Sequence, residues 1–436
     1  MDRLTEHGLA RRTLLAGTAA TGAGMVWAGT GRAVAGGWRG PVRQAAVAAE
    51  AARLDRLLIR LRRDIHQHPE GPGEERRTAA LVARELRAAG LAVTTGVGGH
   101  GVVGVLEGAR PGRTVAYRAD MDAVPPTDIV GGGPAPAHHC GHDIHTTVGV
   151  GVARVLARLR RQLRGKAVFV FQPAEETLSG ARAMIDAGVL ERERVEEIHA
   201  LHCGPFPVGR LAVTGGYGMP GQDKAEVTLS GPGAPEAARR LAAEIGALAT
   251  VALPQAPADL ERLIAESQIP GGPLARFVAL RATAQDATVR VSFRCWPQER
   301  YVEVRADIRR LTMPYAGAGV RFPAEPFPAL ICAERDARPL ARHLRRTVGR
   351  DKVIGLHAAF PPFSGEDFAL FLNRIPGTYT FLGVRGAGAP ITRSYPHYPD
   401  FSPDERAIGV GVRAMAGWIA ERTSGRPGRA SETTGT

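Results

Sequence analysis

Residues 166–205 read KAVFVFQPAEETLSGARAMIDAGVLERERVEEIHALHCGP. The opening KAVFVFQP is an apolar run of strand-forming residues closed by a proline, which predicts a buried β-strand. SGARAMIDAGVL (179–190) predicts a helix, and IHALHCGP (198–205) a second strand. Strand, helix and strand in this order form the repeating unit of a largely parallel sheet.

The same texture extends outward on both sides. LDRLLIRLRRDIHQHPE (54–70) carries apolar residues at helical spacing and halts at Pro69, and EERRTAALVARELRAAGL (74–91) is a second helix stopped by Gly90. LAVTTGVGGHGVVGVLEG (91–108) and TVAYRAD (114–120) predict strands, and GVGVARVLARLRRQL (149–163) returns to helix. Past Gly216 the pattern changes. DKAEVTLSGPG, EAARRLAAEIGALATV, TVRVSFRCW and VEVRADIRRL read as strand, helix, strand, and strand or helix, which predicts a small α+β insert. The α/β texture resumes near Pro328 and ends in the helix AIGVGVRAMAGWIAERT (407–423). The expected organisation is an export signal over 1–35, a catalytic domain in two parts over 45–221 and 328–422, an inserted lid over 222–327, and a disordered tail over 423–436. The expected fold class is α/β, a mainly parallel sheet with helices on both faces.

A chain of 436 residues is long enough for two domains with cores of their own. The net charge of +13 raises nucleic acid as a partner, but it is carried almost wholly by arginine, the lysines being Lys166, Lys224 and Lys352. No basic stripe interleaved with aromatics accompanies it, so nucleic-acid binding is not expected. At the N-terminus, Arg11-Arg12 precede a Gly/Ala-rich apolar stretch ending in Ala33-Val34-Ala35. That order of charge, apolar run and small residues predicts export by the twin-arginine route to the cell envelope or beyond, with a retained anchor as the alternative. No other segment is long and apolar enough to span a bilayer, so no stable membrane insertion is expected. Four cysteines are too few to scaffold a chain of this size.

Chemistry-bearing residues gather at strand ends and in the loops beyond them, where open α/β sheets place their sites. HHCGHDIH (138–145) sets Cys140 and His142 two residues apart, and an extended backbone with a glycine between would let both face one metal or two adjacent ones. Glu175-Glu176 follow a predicted strand; in extended backbone they would point to opposite sides, one ligating while the other faces a water. His202 closes IHALHC, and His397 sits far along the chain in YPHYPDF. One thiolate, three imidazoles and a carboxylate supply donors for two divalent ions, with a carboxylate to spare as base. That mixed set suits zinc or manganese better than calcium or magnesium.

These motifs carry a resemblance. DIHQHPE with GEERRTAALV, YRADMDAVP, HHCGHDIHTT, VFQPAEE with SGARAMIDAGVL, LHCGPFPVG, GEDFALF, and HYPDF with SPDE are similar, in order and spacing, to the amidohydrolase branch of the M20 metallopeptidase family. That branch includes hippurate hydrolases, N-acyl-amino-acid deacylases and indoleacetyl-amino-acid hydrolases. The resemblance implies that Cys140, His142, Glu176, His202 and His397 hold two metal ions and that Glu175 is the general base. Asp122 and Asp367 are implied to orient the ligands, while Asp64, His66 and His68 read as structural support and His138 and His145 flank the core motif. It also implies a small amide substrate and a homodimer through the lid. The alternatives are an exported metal-containing binding protein with weakened catalysis, and a dipeptide exopeptidase.

Two departures from the family pattern stand out. Relatives carry a Gly-x-Gly-Gly-His stretch in the lid, whose histidine reaches the scissile carbonyl; here Gly231-Pro232-Gly233-Ala234-Pro235 puts a proline in its place. Proline neither donates a hydrogen bond nor polarises a carbonyl. Arg239 or Arg240 is the expected substitute, or else the enzyme is slow or takes a different substrate. An Asn-Val-Ile-Pro segment is also absent. Cys203, beside His202, is expected as an isolated buried thiol, with oxidative pairing to Cys140 as the alternative.

Overall fold

The structure, a computed structural model, describes residues 42–425. The predicted export signal, and the predicted tail beyond Gly425, lie outside the described residues. In chain order the elements before the insert are α1 (Gln44–His66), α2 (Arg76–Ala88), β1 (Ala92–Val97), β2 (Gly101–Glu107), β3 (Arg110–Asp120), α3 (His142–Arg158), β4 (Arg164–Gln172), α4 (Gly180–Asp186), α5 (Val189–Glu193), β5 (Glu197–Pro207), β6 (Leu211–Thr214) and β7 (Gly218–Met219). The insert region contributes β8 (Asp223–Thr228), α6 (Ala234–Gly246), α7 (Pro257–Glu266), β9 (Phe277–Gln285), β10 (Thr288–Trp296), α8 (Tyr301–Thr312) and β11 (Gly319–Arg321). Then follow β12 (Leu330–Ile331), α9 (Glu334–Thr347), β13 (Val353–Leu356), α10 (Ala369–Leu372), β14 (Gly377–Arg385) and α11 (Arg406–Thr423).

Eight strands form the main sheet in the order β1-β2-β4-β3-β5-β14-β6-β13. Its centre is parallel, β4 with β3, β3 with β5 and β5 with β14. Antiparallel pairs flank that centre, β2 with β4 and β14 with β6. Residues alternate faces along each strand. In β3, Val115, Tyr117 and Ala119 join the core under α1, α3 and α11, while Ala116 joins the opposite core with Val168 and Val170 of β4. Burial on both sides is why these strands read as unbroken apolar runs. The predicted 179–190 helix is two short helices separated by Gly188, which adopts φ 77°.

α3 is buried along nearly its whole length. Its glycines make this packing fit: a Cβ at Gly151 would lie 2.5 Å from Val412 of α11 and 2.9 Å from Leu58 of α1. This close approach seats the N-terminus of α3 over the carboxyl ends of the parallel strands.

The insert forms its own antiparallel sheet, β11-β8-β10-β9. One face packs on α6 and α8 through Val227, Val289, Val291, Phe293, Leu241 and Ile308. VEVRADIRRL, read as strand or helix, is the helix α8. Part of the insert joins the core of the main sheet instead: Leu260, Leu263 and Ile264 of α7, with Phe277 of β9 and Trp296 of β10, pack in one cluster with Phe206, Phe360 and Phe381.

Candidate metal centre

The site lies beyond the carboxyl ends of the parallel strands β3 and β4 and against the middle of β5, which carries His202. Two features differ from the extended backbone expected there. Gly141 takes φ 92° and caps α3, so His142 is the first residue of a helix, with Cys140 just before the cap. A Cβ at residue 141 would sit 2.6 Å from Cys203 Sγ, so only glycine fits this bend. Glu175 and Glu176 lie in a turn after Ala174, which is held at φ 52°. The turn does not send the two carboxylates to opposite sides, as strand alternation would: one oxygen of each lies within 4.8 Å of the other and of a His142 ring nitrogen.

The structure brings all five expected ligands together. Cys140, His142 and His202 form one group of converging donor atoms, and Cys140, Glu176 and His397 form a second, each spanning no more than 4.8 Å. Cys140 belongs to both. Its Sγ lies 3.4 Å from His202 Nε2, Glu176 Oε2 lies 3.3 Å from His397 Nε2, and Glu176 Oε1 lies 3.6 Å from His142 Nε2. Each imidazole is oriented from behind through Nδ1: His142 by the Asp122 carbonyl at 2.9 Å, His202 by the Cys203 carbonyl at 2.7 Å, and His397 by the Asp128 carbonyl at 3.0 Å. A carbonyl can only accept, so Nδ1 carries the proton and Nε2 presents its lone pair to the centre. His397 keeps a left-handed backbone, φ 68°, with its N–H on the His139 carbonyl and its carbonyl accepting from Val130.

Whether this constellation fits metal ions can be judged from its unmet valences and its charge. His142 Nε2, Glu175 Oε1 and Glu176 Oε1 are buried with no hydrogen-bond partner among the described residues. Such groups are costly unless a ligand satisfies them. Carboxylates crowd the centre: Asp120, Asp122, Glu175, Glu176, Glu366 and Asp367, with Arg118 as the buried cation among them. Burial by itself would depress His142, yet Asp120, Asp122 and Glu176 push it up to about 10. Burial, followed by Glu176 and Glu175, raises the Cys140 thiol well above its ordinary value, so that a thiolate there calls for a cation beside it. Burial and then His145 hold His202 well below the usual imidazole range, which keeps it neutral and able to ligate. The residues fit two divalent cations.

Glu175 stands beside this donor set. It lies 3.9 Å from His142 Nε2, and it also groups with Glu366 and Asp367. Burial, then the charges of Glu366, Glu176 and Asp367, raise its pKa well above the carboxylate range. Asp122 touches two ligands at once: Oδ1 is 3.2 Å from His142 Nδ1, and Oδ2 accepts the Glu176 N–H at 2.9 Å. Asp367 makes no such contact. It accepts from Gln172 Nε2, Arg118 and the Ala181 N–H, and so anchors the floor beneath Glu175.

Several contributors escaped the sequence reading although they sit inside its motifs. Arg118 of YRADMD is fully buried and donates to Asp120, Gln172, Glu366 and Asp367. Burial opposes ionisation of Asp120, but His142, Arg118 and His145 outweigh it and hold the carboxyl well below its ordinary value. His145 bridges Asp120 Oδ1 at 2.6 Å and the Cys203 N–H at 2.7 Å, so it is a brace and not a ligand. Glu75 of GEERR, fully buried, accepts from the N–H groups of Gly73 and Ala174. His66 meets Asp143 at 2.9 Å and Asp64 meets Arg77 at 2.7 Å, the supporting role expected of them, as is the His68 contact to the Asp64 carbonyl. His138 is buried with neither ring nitrogen partnered among the described residues. All four cysteines are free thiols.

A cavity of about 590 Å³ opens from the metal cluster to the lid sheet. Phe360, Phe363, Phe381 and Met219 give it an apolar wall, and Gln222, Lys224 and Arg294 line the lid side. Arg239 and Arg240, the expected substitutes, do not line the cavity of their own chain. Both are exposed on α6 and pair with Glu236, at 2.5 and 3.6 Å, so the sheet and not the helix supplies the lid's cations to the cavity. Pro235 is likewise exposed, in the first turn of α6.

Two donor triads that share Cys140, with a buried carboxylate beside them, are the donor set of a metal-dependent hydrolase. The chain belongs to peptidase family M20/M25/M40, whose family model matches residues 116–421. It is similar to N-acetylcysteine deacetylase of Bacillus subtilis, 30% identical over 372 residues that cover 82% of this chain and 95% of that protein. It is also similar to IAA-amino acid hydrolase ILR1-like 5 of Arabidopsis thaliana, 30% identical over 389 residues, 82% of this chain and 85% of that protein. Among solved structures, a dinuclear metal-binding peptidase of the M20 family from Bacillus subtilis matches with a TM-score of 0.62 at 27% identity, covering 86% of this chain and 98% of that one.

Proposed function

We propose that the protein hydrolyses the amide bond of N-acyl amino acids, with Glu175 as general base and Cys140, His142, Glu176, His202 and His397 holding two zinc or manganese ions. The observation that carries the reading is the pair of donor triads meeting at Cys140 with Glu175 alongside. When bound, the ions supply Lewis acidity, lowering the pKa of a water and polarising the amide carbonyl. Glu175 Oε1, buried and unpartnered, accepts the proton of the attacking water. The same carboxyl then delivers that proton to the departing amine nitrogen. The Arg118 network fixes Asp120, Glu366 and Asp367, so the floor under Glu175 does not reorganise as its charge changes. The apolar wall of Phe360, Phe363 and Phe381 accommodates the acyl group, and Arg294 receives the amino acid's carboxylate.

Metal analysis of the purified chain, paired with amine release from a panel of N-acyl amino acids, tests this reading. Near two ions per chain with release is expected; a chain that takes up no metal would overturn it. Export by the twin-arginine route rests on Arg11-Arg12 and the stretch ending at Ala35, and calls for an exported product that starts after Ala35. A homodimer through the insert is supported by Val302 and Met313, exposed on α8 and just beyond it, and is tested by sedimentation of the intact chain.

A further inference from the structure

On its cavity side the lid sheet carries an unusual set of side chains. The β8–β10 register pairs Ser292 with Lys224 and Phe293 with Asp223, so Lys224, Ser292 and Arg294 share the face turned away from α6 and α8. Arg281 and Arg290 lie on that face as well. None of Lys224, Arg281, Arg290 or Arg294 has a carboxylate partner among the described residues, although ion pairs are abundant elsewhere. The two carboxylates that share β8 with Lys224 are committed to other cations. Asp223, turned to the opposite face, holds Arg305 at 2.7 Å, and Glu226, on the same face, holds Arg321 at 2.5 Å. Lys166, on β4 of the main sheet, by contrast has a partner in Glu193 at 3.1 Å. Arg294 is half-buried, its Nε has no exposed surface and no partner, and burial pushes its guanidinium down to about 10.

Two cations, Lys224 and Arg294, therefore border a cavity whose far wall is the metal cluster. One carboxylate on the substrate compensates one of them. The other, the exposed Lys224, is left able to meet a second anion on the substrate.

We propose that Lys224 makes this site selective for N-acyl amino acids with an acidic side chain, the α-carboxylate meeting Arg294 and the side-chain carboxylate meeting Lys224. The inference rests on the amidohydrolase reading above and narrows it to N-acyl aspartates or glutamates. A point charge on a flexible stem suits a side-chain carboxylate whose position varies with chain length, whereas the half-buried guanidinium suits a fixed carboxylate.

The test compares kcat/KM for N-acyl-L-glutamate with that for N-acyl-L-glutamine of the same acyl group, acetyl and benzoyl in parallel. The two substrates match in shape and differ in one charge. The expected ratio is about tenfold or more in favour of glutamate. It should fall toward one in Lys224→Met, invert in Lys224→Glu, and stay unchanged in Lys352→Met, a surface lysine remote from the cavity. Added salt should narrow it. Turnover of both substrates without preference, or a preference that survives Lys224→Met, overturns this inference and leaves the amidohydrolase reading standing. Turnover of neither, nor of any other N-acyl amino acid, overturns both.

Discussion

Asp122 and His142 make a double contact: the His142 Nδ1 lies 2.9 Å from the Asp122 carbonyl and 3.2 Å from its carboxylate, whose other oxygen accepts the Glu176 N–H. One residue thus sets the orientation of an imidazole donor and the path of the loop that carries the acidic ligand. Substituting Asp122 by Ala should lower metal affinity by about 10- to 100-fold. Titration with a competing chelator measures this, and an unchanged affinity would mean that Asp122 serves packing alone. Stripping the metal from the unaltered protein should lower its melting temperature, because a ligand bound only by the folded state stabilises it.

Glu175→Gln removes the base while keeping the shape of the side chain. We expect turnover to fall by about 10²- to 10⁴-fold. Metal content should remain near that of the parent, since the five donors are untouched. A Gln variant that keeps full activity would move the proton transfer to another group.

Glu75 holds the turn on which both site glutamates ride. Its carboxylate accepts from the Ala174 N–H at 2.8 Å while Ala174 sits at φ 52°, a conformation that costs roughly 1 kcal/mol and needs such a hold. Glu75→Ala should lower kcat more than it raises KM and should destabilise the fold by about 1–3 kcal/mol. Glu75→Gln, which keeps a carbonyl oxygen in place, should recover most of kcat. Equal losses in the two variants would argue against positioning through that hydrogen bond.

Acid sensitivity should arise at Glu197, on the side of the sheet remote from the cavity. This buried carboxylate takes Arg422 at 2.6 and 2.7 Å and Arg113 at 2.9 Å. Burial alone would raise its pKa, but Arg422 and His199 outweigh burial and hold it well below the ordinary carboxylate value. A group depressed in the folded state contributes stability above its unfolded pKa and loses it as pH falls toward the folded one. Urea midpoints should therefore drop below about pH 4.5, and Glu197→Gln should flatten that part of the profile. At neutral pH the same variant should cost about 1–3 kcal/mol, since both arginines are partly exposed. A wild-type profile that is flat down to about pH 3 would contradict the assignment.

The parallel sheet was legible because burial on both faces leaves an unbroken apolar run, as in KAVFVFQP. The candidate ligands stood out in the sequence by residue type and by the short motifs that carry them, and the fold brings their donor atoms together. The local backbone was not legible. HHCGHDIH gave no sign that Gly141 would cap a helix, where Cys203 of β5 occupies the space that a Cβ at 141 would need. Glu175-Glu176 looked like the end of a strand, but a buried carboxylate 99 residues upstream turns the chain at Ala174. Arg239 and Arg240 looked available to the site from their distance to Pro235 alone, and it is the orientation of α6 that turns them toward Glu236 and solvent.

By itself the sequence determined the α/β class and named five candidate donors, a candidate base and a proline at the position of the lid histidine, because periodicity and residue type are local properties of a chain. Tertiary structure alone decided that Cys140 is shared by two donor triads, that Asp122, His145 and Arg118 brace them, and that Lys224 and Arg294 face the cluster across a cavity. Those relations join residues separated by tens to hundreds of positions. Only the packing of α3 onto the sheet, and of the lid sheet over it, fixes the distances on which metal binding and charge recognition depend.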